Sequence, residues 1–161
     1  MIEIPITKGA TAIIDDEDLD KIKDFCWCYH GNGYAARGYH ENGKLLIEKM
    51  HQRILGKGKN RIEIDHINGN RLDNRKCNLR FVTHQQNIFN SRKKQPKRAG
   101  VNPSQFKGVT WRNDRSKWRS SITKNGHKRY LGLFDTQQEA ALAYNNAAKK
   151  YYGEYARLNE I

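Results

Sequence analysis

Residues 61–70 read Arg61-Ile62-Glu63-Ile64-Asp65-His66-Ile67-Asn68-Gly69-Asn70, and residues 78–87 read Asn78-Leu79-Arg80-Phe81-Val82-Thr83-His84-Gln85-Gln86-Asn87. Polar and apolar residues alternate from Arg61 to Asp65, the period of a half-buried strand. Asn68-Gly69-Asn70 and Asp73-Asn74 are turn signals. Leu79 to Val82 repeats the strand pattern. Thr83 with Gln86 three residues on is a capping box, which opens a helix running to about Arg92. The local order is strand, loop, strand, helix.

The same stretch carries chemistry. An acid and a histidine stand side by side, Asn78 follows Asp65 by 13 positions, and Asn87 follows Asn78 by nine. Phosphodiester hydrolysis needs an activated water and a means of stabilising charge on the leaving oxygen. A hard divalent cation with oxygen ligands performs the second task. Asp65 offers a carboxylate and Asn87 an amide oxygen. His66 titrates near neutrality and suits a general base. Asn78 is placed to accept a hydrogen bond from the other ring nitrogen and fix the tautomer. His84, three residues before Asn87, can share its helical face, which leaves the last metal ligand open between the two. Adjacent strand residues point to opposite faces, so Asp65 and His66 share a site only where the strand ends or bulges.

Asp65-His66, Asn78 and Asn87 resemble the HNH nuclease motif, built on a ββα-metal element. The phrases Asp-His-Ile-Asn-Gly-Asn and Asn-Leu-Arg are similar to those of phage and intron-encoded homing endonucleases. Asn87 stands where the name of the motif has a histidine, a replacement common in the homing branch. The resemblance implies one catalytic Mg²⁺ or Mn²⁺ and products with 5′-phosphate and 3′-hydroxyl ends.

Outside this stretch, charge placement says most. The formal net charge is +13. Residues 1–60 balance nine Lys/Arg against nine Asp/Glu; residues 61–161 hold 21 against eight and carry the whole excess. Such asymmetry points to a polyanionic partner. With a mean hydropathy of −0.95 and no long apolar run, no membrane span is expected. The start, Met1-Ile2-Glu3-Ile4-Pro5, lacks the layout of a secretory signal, so a cytoplasmic, nucleoid-associated setting is expected. Three cysteines, Cys26, Cys28 and Cys77, argue against a disulfide framework and read as buried or half-buried thiols.

Before residue 60 the chain reads as mostly β. Ile2–Thr7 and Ala10–Ile14 are short apolar runs, and Asp15–Asp24 is an acidic turn or short helix. Trp27–Gly38 and Lys44–Lys49 read as strands around a Glu41-Asn42-Gly43 turn. Met50–Leu55 reads as a short helix closed by Gly56, with His51 as a helix-surface or packing histidine. Residues 93–103 are basic, hold two of the three prolines and lack apolar periodicity, the marks of a linker. Lys93, Lys94, Lys97 and Arg98 suit contacts along a phosphate backbone.

From residue 104 on, Phe106–Arg112, Lys117–Lys124 and Lys128–Phe134 predict three strands, with Asn125-Gly126 as a hairpin turn. Thr136 with Glu139 is a second capping box, and Ala140, Tyr144, Ala147, Ala148 and Tyr151 recur at helical spacing up to Gly153. Trp118, Ser120 and Ile122 fall on one strand face and can meet that helix; Lys117, Arg119, Ser121 and Thr123 fall on the other. Phe106-Lys107-Gly108-Val109-Thr110-Trp111-Arg112, Tyr130-Leu131-Gly132-Leu133-Phe134 and Glu139-Ala140-Ala141 resemble the Apetala/ethylene-response-factor DNA-binding domain, which lays a three-stranded sheet in the major groove. That resemblance implies DNA contact by Lys107, Thr110, Arg112, Arg119, Lys128 and Tyr130. Family arginines are replaced by Lys107, Thr110 and Thr123, so the family's base preference does not transfer.

The expected class is α+β. It comprises a β-rich support region (1–59), a ββα-metal nuclease module (60–92), a basic linker (93–103) and a three-stranded antiparallel sheet packed on one α-helix (104–161). The expected activity is a metal-dependent homing-type endonuclease acting on double-stranded DNA, of phage or bacterial setting, as monomer or homodimer. A DNA-binding regulator with an inactive nuclease remnant, and a low-specificity or restriction-type nuclease, are the competing readings.

Overall fold

The computed structural model describes residues 1–93 and 104–161. In chain order the regular elements are β1 (Ile2–Pro5), β2 (Thr11–Ile14), α1 (Leu19–Ile22), β3 (Cys28–His30), β4 (Tyr34–Glu41), β5 (Lys44–Lys49), α2 (Met50–Leu55), β6 (Ile62–His66), β7 (Leu79–Thr83), α3 (His84–Asn90), β8 (Val109–Arg112), β9 (Lys117–Lys124), β10 (His127–Phe134) and α4 (Gln137–Tyr152). They form two compact units, Met1–Asn87 and Ile88–Ile161. The mixed α and β composition with small antiparallel sheets agrees with the expected class. No helix among the described residues is long and apolar enough to cross a membrane.

In the first unit β1 pairs with β2, β4 lies between β3 and β5, and β6 pairs with β7. The segment expected as one strand from Trp27 to Gly38 is two. It breaks at Gly31-Asn32-Gly33, where Gly33 takes φ 82 and its N–H donates to the His30 carbonyl at 2.7 Å. A left-handed residue at that point turns the chain back on itself, which a side chain with a Cβ resists. Ile14, Ile22, Trp27, Ala35, Met50, Ile54 and Leu79 share one interior, so strands on both sides of residue 60 line the same core. The loop after β6 is stitched to β2: Ile13 N–H donates to Leu72 O at 2.8 Å, and Asn74 N–H to Ile13 O at 2.7 Å. All three cysteines are free, and they are exposed rather than buried. At Cys26 and Cys28 the intervening Trp27 takes the inward position.

In the second unit β9 is central, flanked by β8 and β10. Alanines at 140, 141 and 148 let α4 approach the sheet closely, with Phe106, Val109, Ile122, Tyr144 and Tyr152 filling the interior. Gly108, at φ 79, is required there: a Cβ would stand 2.1 Å from the Tyr144 ring and 2.8 Å from Ser121 O. In β10 the register shifts between Tyr130 and Gly132, so Tyr130 pairs with Ser121 but Leu133 with Arg119 and Phe134 with Trp118. Phe134 and Trp118 thereby reach the same core cluster. The Thr136–Glu139 capping box is present, each partner bonding the other's backbone N–H at 3.2 Å. In the same unit Phe89, on the last turn of α3, stacks on Tyr152 at 3.8 Å between ring centroids.

Candidate active site and DNA-facing sheet

β6 ends at His66, where Gly69 N–H donates to the His66 carbonyl at 2.8 Å and turns the chain. The strand ends just after His66, while Asp65 and His66 themselves stand in the regular ladder with β7, opposite Arg80 and Leu79. His66 is 3 % exposed and packs against two other rings, Tyr34 of β4 at 5.9 Å and His51 of α2 at 5.0 Å. Its Nε2 lies 3.4 Å from Asn74 Oδ1. Asn74 is itself oriented, because its Nδ2 donates to Leu72 O at 3.0 Å and to the Met50 sulfur at 3.5 Å. An oriented carbonyl oxygen at Nε2 calls for the proton on that nitrogen, which makes Nδ1 the basic one. Burial holds the His66 pKa below its ordinary value, against the opposing pull of Asn74 and of the Asp65 and Asp73 charges. The ring is thus neutral at pH 7.

The tautomer-setting role expected of Asn78 falls to Asn74. Both ends of the Asn78 amide hold the loop: Oδ1 accepts from Asn68 N–H at 3.0 Å and Nδ2 donates to Asp73 O at 2.8 Å. Asn78 is 6 % exposed, so these bonds form out of water and fix the loop that carries Asn74.

Asp65 accepts from Arg80 Nε and Nη2 at 3.1 and 3.0 Å. Cross-strand pairing puts the two directly opposite one another. Glu63, two residues earlier on the same strand face, joins the other two candidate ligands. Its Oε1 lies 2.8 Å from His84 Nδ1, and its Oε2 accepts from Asn87 Nδ2. Those two bonds hold the Glu63 carboxyl below its usual range. Thr83 and Gln86 form the capping box that starts α3 and thereby place His84 and Asn87 against Glu63. Among the described residues no cluster of three His, Cys, Asp or Glu groups is arranged for an ion. The donor set nonetheless suits Mg²⁺, which takes one or two protein carboxylates and fills its octahedron with water and substrate phosphate. Asp65, Glu63 and the Asn87 amide oxygen are hard donors of that kind.

Glu63, Arg80, Asn74 and Tyr34 escaped the sequence reading as site residues, and His51 reads there only as a helix-surface or packing histidine. Glu63 had a local signal, its i, i−2 spacing from Asp65. His51 is 4 % exposed, and its Nδ1 has no hydrogen-bond partner. It is buried against His66, the packing alternative of the sequence reading. Burial, then the neighbouring His66 and Lys49, push its pKa down to about 3.

On the second unit's sheet, Thr110 pairs with Arg119, Arg112 with Lys117, Thr123 with Lys128 and Ser121 with Tyr130. Directly opposed residues share a face, so Thr110, Arg112, Arg119, Lys128 and Tyr130 stand on one side. Tyr130 is 62 % exposed. Arg112 is held as a fork by Asp114, Nε and Nη2 each 2.8 Å from a carboxylate oxygen. Lys107 is placed elsewhere: its Nζ donates to the carbonyls of Phe89 and Ser91, both at 2.7 Å, and burial lowers its pKa to about 8. It closes the C-terminal end of α3. Lys93 Nζ donates to Ser104 O at 2.5 Å and Val109 O at 3.1 Å. Lys94, Lys97 and Arg98 lie outside the described residues.

Residues 49–88 match the HNH endonuclease family. The chain is also 29% identical over 156 residues, 96% of its own length and 77% of the relative's, to an uncharacterized HNH endonuclease of Acanthamoeba polyphaga mimivirus. The chain belongs to the HNH endonucleases. The match to the HNH family opens at Lys49 and so takes in α2 with His51. Residues 104–154 of this endonuclease match the AP2 domain. A second relative, Protein 3.8 of Escherichia phage T7, is 33% identical over 95 residues, 59% of this chain and 74% of that protein. The AP2 segment is 48% identical over 59 residues to dehydration-responsive element-binding protein 2D of Arabidopsis thaliana, covering 34% of this chain and 27% of that one. No solved structure matches the chain.

Proposed function

We propose that this HNH endonuclease is a metal-dependent enzyme of the homing type, which hydrolyses phosphodiester bonds of duplex DNA at a site chosen by its AP2 domain. The observation that carries the reading is His66, neutral at pH 7, oriented by Asn74 at a strand end, on the same hairpin as the oxygen donors of β6 and α3. His66 Nδ1 takes a proton from a water as that water's oxygen bonds to phosphorus. The bond from phosphorus to the 3′ oxygen breaks, leaving a 5′-phosphate and a 3′-hydroxyl once that oxygen is protonated. Asp65 and Asn87, with His84 as a further candidate, would hold one Mg²⁺ or Mn²⁺, which supplies charge stabilisation at the leaving oxygen. Glu63 holds the α3 ligands in place through its two carboxylate oxygens. Arg80 neutralises Asp65 when no other cation is present.

Thr110, Arg112, Arg119, Lys128 and Tyr130 form the major-groove face, the two arginines being suited to guanine edges. Lys107 serves this reader by closing α3 rather than by touching DNA, Lys93 is likewise taken up by the carbonyls of Ser104 and Val109, and Lys94, Lys97 and Arg98 add phosphate contacts. One active site cuts one strand, so double-strand scission needs a second copy or a second visit. Supercoiled plasmid incubated with Mg²⁺, Mn²⁺ or chelator tests the reading. His66→Ala should abolish nicking while a duplex is still bound. Normal cutting by that variant, or cutting in chelator, would overturn it.

A further inference from the structure

Tyr34 of β4 packs against both buried histidines, and its ring also carries two cations. Lys49 Nζ lies 4.5 Å and Arg71 Cζ 4.8 Å from the ring centroid. Among the described residues neither cation forms an ion pair with a carboxylate. Their neighbours are paired: Arg37 with Glu48, Arg75 with Asp73, Arg80 with Asp65. The Arg71 side chain does donate to a neutral group, the carbonyl of Asn32, at 2.5 Å from Nη1.

Two uncompensated positive charges on one ring repel each other. A cation–π contact is enough to orient a side chain but not to neutralise it. The backbones beneath are fixed as well. Lys49 N–H donates to Gln52 Oε1 at 3.2 Å at the start of α2. Arg71 sits in the loop braced by Asn68 and Asn70, whose side-chain oxygens accept from Asn70 N–H at 2.8 Å and Leu72 N–H at 3.1 Å. The charges also bear on the reaction centre from two sides, Lys49 on the Glu63 carboxylate and Arg71 on the His66 ring. An anion beside His66 would relieve their repulsion and supply the charged acceptors they lack.

We propose that Lys49 and Arg71, held on the Tyr34 ring, are substrate-binding residues that grip the phosphates of the strand being cut, at the scissile bond and its neighbour. The assignment rests on the nuclease reading for what passes His66, and it gives the N-terminal sheet a direct part in holding DNA.

The test uses the full chain. Binding of a duplex oligonucleotide is followed by fluorescence anisotropy across a salt series without divalent metal, and plasmid nicking is followed separately with Mg²⁺. For Lys49→Gln with Arg71→Gln, the slope of log K against log salt should flatten by about 2, near 0.9 for each phosphate left without its cation, and nicking kcat/KM should fall at least tenfold. The charge-keeping pair Lys49→Arg with Arg71→Lys should hold the slope. Tyr34→Leu should lose part of each readout, and Tyr34→Phe, which keeps a ring under both cations, should lose less of each. A folded Gln/Gln variant with an unchanged slope overturns the clamp. Equal losses in Tyr34→Phe and Tyr34→Leu overturn the role of the ring. A wild-type chain that nicks under no metal sinks the nuclease reading, while the salt slope still decides whether these two cations hold phosphate.

Discussion

Taking the protein from pH 7 to pH 4.5 should destabilise its N-terminal unit through His51. In the unfolded chain that imidazole titrates near 6.5; in the fold, burial beside His66 and Lys49 pushes it down to about 3. Between those values the unfolded chain binds a proton that the folded chain refuses. The stabilisation is fully present above pH 6.5 and is lost as the pH falls toward 3. Over the stated interval a single proton contributes about 2.5 kcal/mol, a large share of the roughly 5–15 kcal/mol that holds a domain together. Glu63 and Asp73, both held below their usual range, lose stability in the same direction, so the wild-type curve alone does not isolate His51. His51→Met does: it fills the site with no titrating group and leaves the carboxylates in place. Urea unfolding of both proteins at the two pH values gives the double difference. The variant should lose about 2.5 kcal/mol less than wild type on acidification. Parallel losses, within about 0.5 kcal/mol, the usual scatter of such comparisons, would refute the claim that this ring is buried without its proton.

Asn78→Ala removes both bonds that brace the loop after β6 and should cost about 1–3 kcal/mol in urea unfolding, with nicking lost alongside. Wild-type stability would refute the bracing role. Gly108→Ala drives a methyl into the Tyr144 ring and a left-handed backbone onto alanine, so thermal unfolding of the C-terminal unit should show a loss of about 2–4 kcal/mol. Because burial lowers the His66 pKa, the acid limb of nicking kcat/KM should lie below pH 6.5, activity being kept above it and lost as the base protonates. A limb above 6.5 would mean that a different group is titrating.

Much of this was legible because it is local. The Thr83–Gln86 and Thr136–Glu139 boxes each span three residues, and both close as their letters require. The alternation before His66 and the small-residue stripe of α4 follow strand and helix periods. What escaped depends on side chains brought together from far apart in the chain. Tyr34, His51 and His66 come from β4, α2 and β6, and no period in the sequence joins them. Asn74 and Asn78 are both asparagines in one loop, and only its folded path decides which one meets the imidazole. Lys107 reads as one more base in a basic strand until the carbonyls at the end of α3 claim its ammonium. The two-strand form of residues 28–41 was within reach, since Gly31-Asn32-Gly33 is a turn signal inside an apolar run.

The displaced register in β10 gives a protein engineer one position, Leu131, at which chain length can change while the inward and outward faces on either side keep their partners. Deleting Leu131 would remove that extra residue and still leave Gly132, Leu133 and Phe134 opposite Ser120, Arg119 and Trp118, at the cost of the Leu131 side chain packed against the Ile122 and Tyr144 cluster. Randomising the exposed Tyr130 leaves the interior intact, so the proposed DNA contact can be explored by substitution at that position. A last strand grafted from another AP2 domain seats its aromatic anchor opposite Trp118 with or without the extra residue, provided the anchor is counted across the bulge.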